Sequence, residues 1–379
     1  MKAGWQTIPM GQLCSIKSGK SDTKDAVEDG AYVFFDRSRT IKKSSRYLFD
    51  CEAMIIPGEG TEFLPKHFVG KFDLHQRAYA LFDFSNQIDV KFLYYYLHHK
   101  SDYFPQVAVG ATVKSLRLRH FEQLPVSLTS IPEQQRIVGI LDEAFVAIAT
   151  AKANAEQNLQ NARALFESHL QSVFTQRGDG WVEHNKPLAD LCELIVDCEH
   201  KTAPTQEDGF PSIRTPNIGK GKLLLDGVYR VSETTYREWT RRAEPLPGDL
   251  ILAREAPAGN VAVIPENLKV CLGQRTVLIR PNRQAFEPEF LAWLLLQPQM
   301  QQKLLAHSRG ATVQHVNMKD IRALDVGAIP SLTEQRRIVA NVGKASEETQ
   351  RLESLYQRKL AALDELKKSL LHQAFSGTL

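Results

Sequence analysis

The sequence predicts an α+β protein: two α/β domains and two long antiparallel helices forming a coiled coil, related by a pseudo-twofold internal repeat. Three observations carry that reading. Segments recur in order: Ser130–Val138 (SIPEQQRIV) returns as Ser331–Val339 (SLTEQRRIV), a shift of 331 − 130 = 201, and Gly110–Val113 (GATV) returns as Gly310–Val313, a shift of 200. Each copy passes from short apolar runs broken by Gly, Pro and Asp into a long stretch nearly free of them. Those long stretches place apolar residues at helical spacing. Other matches drift in one direction: His75-Gln76-Arg77 with Gly273-Gln274-Arg275 (198), Leu13-Cys14 with Leu191-Cys192 (178), and Gly4-Trp5 with Gly180-Trp181 (176). The drift predicts an insertion of some twenty residues in copy two between Cys192 and Gln274. A chain that is two linked versions of one module suits a target with two related parts.

The first domain takes residues 1–129. Its runs Ala53–Ile56 (AMII) and Tyr79–Phe82 (YALF) read as short strands, and Phe92–Leu97 (FLYYYL) opens a helix after a polar loop. A long helix follows over 130–176, with a stripe at Ile137, Leu141, Ala144, Ile148, Ala151, Ala155, Leu159, Ala162, Phe166 and Val173. The second domain, 177–330, repeats the grammar with strands at Leu250–Leu252 and Thr276–Ile279 and a helix at Phe290–Leu296. Pro57-Gly58 and Pro247-Gly248 mark turns. The second long helix, 331–379, carries Ile338, Val342, Ala345, Leu352, Tyr356, Leu363, Leu366 and Leu370. Ser130-x-x-Glu133 and Ser331-x-x-Glu334 start the two helices as capping boxes, with hydroxyl and carboxylate each taking an orphan N–H. At 1.5 Å per residue such helices run roughly 65 Å, longer than either domain is wide, so each stripe needs the sister helix as cover. Packing of each helix on its own domain is the plainer alternative.

At 379 residues, with 43% apolar and 24% charged content, two domains are comfortable. The net charge of +3 excludes a protein that wraps DNA by bulk charge and leaves only local basic clusters. No run approaches the ~18 apolar residues of a membrane span, and MKAGWQTIPMGQ lacks a secretory signal. Five cysteines without C-x-x-C point to buried thiols, Cys14 and Cys192 among them, in a reducing cytoplasm.

The motifs of common enzymes are missing. There is no P-loop, no G-x-G-x-x-G, no H-E-x-x-H, no G-x-S-x-G, and no Asn/Asp-Pro-Pro-Tyr/Phe of the kind amino-methyltransferases use. Gly219-Lys220-Gly221 reads as a turn. His98-His99 is a poor metal pair, since adjacent residues diverge and no third ligand is placed. Glu199-His200-Lys201 reads as a polar loop without a partner.

Binding residues are richer. GATVKSLRLRH (Gly110–His120) offers Thr112, Lys114, Ser115, Arg117, Arg119 and His120; RGATVQHVNMKDIR (Arg309–Arg322) offers Thr312, Gln314, His315, Asn317 and Lys319. Such side chains grip phosphates or read base edges, and a repeated GATV frame with different following residues suits two different half-sites. An ordinary solvated loop is the alternative. Gln76-Arg77 and Gln274-Arg275 either contact DNA or hold loops. Arg37, Arg39, Lys42, Lys43, Arg214, Arg241, Arg242 and Arg254 add possible phosphate anchors.

Taken together, PEQQRIV (Pro132–Val138), TEQRRIV (Thr333–Val339), the closing LLHQAFSGTL (Leu370–Leu379) with its echo SHLQSVF (Ser168–Phe174), and PGDLILAREAPAGNVAVI (Pro247–Ile264) resemble a specificity subunit of a type I restriction-modification system. Copy one departs at Cys51–Gly60, where CEAMIIPGEG replaces the proline-glycine-aspartate opening. The resemblance implies target-recognition domains that read double-stranded DNA, with no catalysis and no cofactor on this chain. It implies two modification subunits carrying S-adenosylmethionine, and restriction subunits carrying ATP and Mg. The helices would set the spacer between half-sites, and Phe145, Phe174 and Phe375 would face the modification subunits. A type IIB-like system and a non-DNA coiled-coil scaffold are the other readings.

Overall fold

The strand Phe49–Pro57 shows how the fold is built. Along Ala53-Met54-Ile55-Ile56, alternate residues point to opposite faces, so Met54 and Ile56 join one apolar core while Ala53 and Ile55 join another. An unbroken apolar run is what a strand covered on both sides requires. The computed structural model describes residues 4–178, 180–306 and 315–379. The chain divides into two units, one built from the segment up to Glu156 together with Gln357–Leu379, the other from Gln157–Tyr356.

The first unit contains β1 (Gln6–Pro9), β2 (Ser15–Ser18), β3 (Tyr32–Phe35), β4 (Lys42–Ser44), β5 (Phe49–Pro57), β6 (Lys66–Leu74) and β7 (Ala78–Phe82). There follow α1 (Val90–His99), α2 (Tyr103–Val107), α3 (Leu118–Glu122), β8 (Pro125–Leu128) and the start of α4 (Ile131–Thr175). Its sheet runs β2-β7-β5-β6-β3-β4, antiparallel except for β3 beside β6, and β1 pairs with β8.

The second unit contains β9 (Val182–Glu183), β10 (Cys192–Asp197), β11 (Phe210–Ile213), β12 (Arg230–Val231), α5 (Glu233–Trp239), β13 (Leu250–Ala253), β14 (Val261–Val263), β15 (Cys271–Leu272) and β16 (Thr276–Pro281). It closes with α6 (Pro288–Leu296), α7 (Pro298–Leu305), α8 (Met318–Arg322), β17 (Ala328–Ile329) and the start of α9 (Leu332–Ser376). The same order returns as β10-β16-β13-β14 and β12-β11-β15, with β11 parallel to β15 and β17 on β9. Equivalent strands locate the insertion. The offset is 178 between Phe35 and Ile213, 187 between Ser44 and Val231, and 197 between Met54 and Ile251. Copy two therefore lengthens twice, before β12 and again around α5.

Both long helices are built into domain cores at their ends. In the first unit Ile137 and Leu141 of α4 share a core with Leu371, Ala374 and Phe375 of α9. In the second, Ile338 and Val342 of α9 share a core with Leu170 and Phe174 of α4. Each pair is related by the 201 shift. Aromatic packing repeats too: Trp5 lies 6.3 Å from Phe92 and Trp181 6.3 Å from Phe290, while Phe375 lies 5.1 Å from Phe92 and Phe174 5.4 Å from Phe290. The assignment of Phe174 and Phe375 to outward faces is thus corrected, because each fills the floor of a domain. Phe145 is half-buried between Tyr95 and the Lys367 ammonium.

Between those ends the helices pair antiparallel within each unit. Arg136 donates to the Leu379 carbonyl and Lys152 meets Asp364 at 2.7 Å; in the second unit Arg163 meets Glu353 at 2.6 Å. Of the second stripe, Leu366 stays 46% exposed, and its repeat-mate Leu165 is 73% exposed. The helix starts differ in detail from simple capping boxes. Ser331 Oγ accepts weakly from Glu334 N at 3.4 Å, while the Glu133 and Glu334 carboxylates each take two bonds from Arg136 and Arg337.

The repeated motif EQ(Q/R)RIV owes its identity to its first glutamine. Gln134 is fully buried; its Oε1 accepts from Asp89 N at 2.8 Å, and its Nε2 donates to the Gln87 and Thr129 carbonyls. Gln335 does the same with Glu287 N, Ala285 O and Pro330 O. Each amide ties the start of α1 or α6 to a long helix, satisfying backbone groups that burial would otherwise leave without water.

Candidate nucleic-acid interface

In the first domain the GATV loop is closed at its base. Val109 and Ser115 exchange two backbone hydrogen bonds of 2.9 and 2.8 Å, leaving Gly110–Lys114 as a five-residue tip. Gly110 holds φ +122°, and a side chain there would meet the Val113 carbonyl at 2.2 Å, so only glycine fits. Thr112, Lys114, Arg117 and Arg119 are exposed and Ser115 is half-buried. His120 is buried, accepts from Arg117 N at 3.2 Å, and is pushed below the ordinary imidazole range by burial and then by the Arg119 and Arg117 charges.

A second turn, Gly58-Glu59-Gly60, anchors this loop. Leu116 N donates to Gly58 O, Gly60 N to Lys114 O, and Gly58 N to Arg77 O. The Glu59 carboxylate, 8% exposed, takes hydrogen bonds from Arg77, from Arg37 at 3.2 Å and from Ser115 Oγ at 3.2 Å. Burial opposes its charge, but the bonds from Arg77 and Ser115 and the charges of Arg77 and Arg37 prevail and hold its pKa below the usual range. Gln76 donates to Asp22 at 3.2 Å. Arg37, Arg39, Glu59 and Lys66 line a cleft of about 550 Å³.

The second domain repeats this backbone. Arg254 N donates to Arg275 O and Val316 N to Arg254 O, matching Gly58 with Arg77 and Leu116 with Gly58. Glu255 pairs with Arg275 at 2.8 Å and with His315 Nδ1 at 2.9 Å, as Glu59 does with Arg77 and Ser115. Copy one's Gly58-Glu59 therefore corresponds to Arg254-Glu255. Pro247-Gly248 precedes its strand, whereas Pro57-Gly58 ends one, so the two dipeptides are not equivalent turns. Arg254 is 11% exposed and bonded to Asp197 at 2.7 Å, to the Val316 carbonyl and to His315 Nε2. A proton on His315 Nδ1 satisfies Glu255 on one side and leaves Nε2 to accept from Arg254 on the other. Arg275 sits at φ +65° in the turn, and Gln274 faces the His200 carbonyl. Together His200, Arg254, Glu255, Gln274, Arg275 and His315 line a cleft of about 260 Å³. Asn317 stands at the N-cap position of α8 without a side-chain cap bond and donates its amide to Asp320, and Lys319 is exposed. Thr312 and Gln314, with the second GATV loop, lie outside the described residues.

Sequence reading missed Glu59 and Glu255 because a single glutamate shared at a shift of 196 stands out in no alignment. Only the strand ends that bring them to the arginine turn reveal the pair. His98 and His99 are absorbed by packing: burial, with Lys367 nearby, lowers His98 to about 4, and burial, then Lys100 and His372, lowers His99 to about 4. Among the described residues no group of three His, Cys, Asp or Glu is placed to hold a metal, and no helix is long and apolar enough to cross a membrane.

The geometry defines a two-headed protein in which each head carries the same carboxylate–arginine turn. The chain belongs to the type I restriction modification DNA specificity domain family, which matches residues 2–160 and 181–357. It is 24% identical to the type I restriction enzyme EcoDI specificity subunit of Escherichia coli, over 99% of this chain and 88% of that one. It is also 24% identical to the EcoBI specificity subunit of the same organism, over 71% and 61%. Among solved structures, one described as the structural basis of complex assembly and conformational transition of the type I R-M system aligns with a TM-score of 0.70 at 17% identity, covering 100% of this chain and 99% of that one. The HsdS subunit from Thermoanaerobacter tengcongensis aligns with a TM-score of 0.53 at 17% identity, covering 100% and 98%.

Proposed function

We propose that this chain is the DNA-recognition subunit of a type I restriction-modification complex, each head reading one half of a split asymmetric site. One observation carries the proposal: both heads hold a half-buried polar residue on the same carboxylate–arginine frame, yet that residue differs, Ser115 in one and His315 in the other. A shared frame with unlike tips is what reading two different half-sites requires. Thr112, Lys114, Ser115, Arg117, Arg119 and Gln76 serve the first half-site. Thr312, Gln314, His315, Asn317 and Lys319 serve the second. Arg77, Arg254 and Arg275 act chiefly as braces, since each guanidinium already engages a carboxylate.

The chain itself is non-catalytic in this reading and acts in the cytoplasm. Two modification subunits supply S-adenosylmethionine and methyl transfer, and restriction subunits supply ATP- and Mg-dependent translocation and cleavage. The helices set the spacer, and exposed Leu165 and Leu366, related by the repeat, offer apolar contacts for the modification subunits in place of the buried phenylalanines. Methylation mapping in cells expressing the chain with its partner subunits tests this. A split motif is expected, with Lys114→Ala and Arg117→Ala relaxing only its first half. Equal loss of both halves refutes domain-by-domain reading. Absence of steeply salt-dependent binding to duplex DNA favours the non-DNA scaffold.

A further inference from the structure

The frame repeated in both heads is poorly suited to discriminate, whereas copy two has gained residues of its own. Residues 214–229 include most of the first lengthening. A hairpin closed by Ile218 and Leu223 carries Gly219–Lys222 at its tip, and the chain then returns through Leu224 and Leu225 to Tyr229. Leu224, Leu225 and Tyr229 are all exposed, an apolar group on a segment that the first domain lacks.

Arg214 stands at the root of this segment, directly after β11. Its guanidinium carbon lies 4.0 Å from the centre of the Tyr229 ring, and that ring is 50% exposed. Its aliphatic stem crosses Gly273, where a side chain would come within 2.4 Å of Arg214 Cγ. Gly273 begins the Gly273-Gln274-Arg275 turn, so Arg214 lies against the frame of the second head. Among the described residues no carboxylate pairs with Arg214, and its Nε is buried without a hydrogen-bond partner. By contrast Arg254, Arg275 and, in the first domain, Arg37 and Arg77 all engage carboxylates. A guanidinium is planar by its own delocalisation, and the contact with the Tyr229 ring holds that fork in place for a pair of acceptors. In duplex DNA that pair is N7 and O6 of guanine in the major groove.

We propose that Arg214, in cation–π contact with Tyr229, is a base-reading residue of the second head and selects a guanine in the second half-site. The proposal rests on the reading of the chain as a DNA-recognition subunit. Its test is selection from duplexes with a randomised interior, using the full chain purified with its partner subunits and sequencing the bound pool. Arg214→Ala is expected to flatten one guanine position of the second half-site, with discrimination there falling about ten- to a hundred-fold. The first half-site stays unchanged as an internal control. Arg214→Lys, which keeps the charge but not the fork, flattens the same position, while Tyr229→Phe, which keeps the ring, does not.

If Arg214→Ala weakens every position of the second half together and Arg214→Lys restores them, the residue is a phosphate anchor and the proposal falls. An unchanged motif in Arg214→Ala overturns it as well. A wild-type complex that enriches a split motif while these variants fail the test refutes the arginine alone. A wild-type complex that enriches no motif refutes the underlying DNA reading.

Discussion

Replacing Gln134 by alanine should detach the first domain from its long helix and leave the second domain intact. The side chain is fully buried and makes three hydrogen bonds, to Asp89 N at 2.8 Å, Gln87 O at 2.9 Å and Thr129 O at 2.8 Å. Each net bond contributes about 1 kcal/mol, and the stranded backbone groups have no other partner within the core, so the expected cost is about 3 kcal/mol. Asp89 is the N-cap of α1, accepting from Lys91 N and Phe92 N, so the loss is transmitted to the helix that carries the Tyr95 and Tyr96 contacts. Hydrogen exchange read by mass spectrometry localises the effect. At 1.4 kcal/mol per decade, protection of α1 should fall about a hundred-fold when exchange follows the opening equilibrium. Protection of α6 should not change. Gln335→Ala should give the mirror result, because Glu287 N, Ala285 O and Pro330 O are the equivalent groups. Equal loss in both domains from either substitution, or no loss in α1, would refute the idea that these glutamines are local staples.

Two further outcomes follow from the same contacts. Glu59→Gln should destabilise the first domain by about 1–2 kcal/mol, discounted for the half-exposed Arg37 and Arg77, and should loosen Gly110–Lys114. Because the Glu59 carboxyl is held below its ordinary 4.5, its contribution is present above that pH and vanishes as pH falls through the lowered value. Denaturation midpoints of wild type and variant should therefore converge only in acid; a gap that persists there contradicts the charge-based account. His98 and His99 act in the opposite sense from a salt-bridged histidine, since burial lowers both from 6.5 to about 4. Between those values the unfolded chain binds protons that the folded chain refuses, so stability drops as pH falls from 6.5 towards 4, by at most about 3 kcal/mol for each group. His99→Phe, which retains the stack on Phe375, should flatten part of that drop in a pH series of thermal melts, and a parallel profile counts against the assignment.

The fold was legible wherever both copies had to keep the same side chain. Gln134 and Gln335 answer to identical backbone groups, Phe174 and Phe375 fill identical floors, and Trp5 and Trp181 lean on equivalent phenylalanines at equal distance. Periodicity separated strands from helices because Ala53–Ile56 is covered on both faces, while α4 is covered on one stripe for most of its length. It erred where two covers were available. A stripe tells that a face is buried but not by what, so the domain floors beneath Phe174 and Phe375 went unseen, and Leu366 was counted as seam although no partner in the chain covers it fully. The site was half legible. GATV and the Gln-Arg turns stood out by repetition, but the carboxylates that join them did not, because Gly58-Glu59 and Arg254-Glu255 share one residue and are brought into register only by strand pairing.

That division between what repeats and what varies has a physical basis. The frame of each head is held mainly by main-chain bonds: Gly58 N to Arg77 O and Leu116 N to Gly58 O in one, Arg254 N to Arg275 O and Val316 N to Arg254 O in the other. Main-chain bonds do not depend on side-chain identity, so position 58 can be glycine and its counterpart arginine without moving the turn. The one side chain that must be kept is an acceptor able to hold an arginine and a second donor, and glutamate stands at both places. The second donor is free to differ, a hydroxyl on Ser115 or an imidazole on His315, because each reaches the same carboxylate. Side chains can therefore diverge around the turn while the frame, held by main-chain bonds and a shared glutamate, is kept. In the proposed reading, duplication followed by change at such positions would let one architecture read two unlike half-sites.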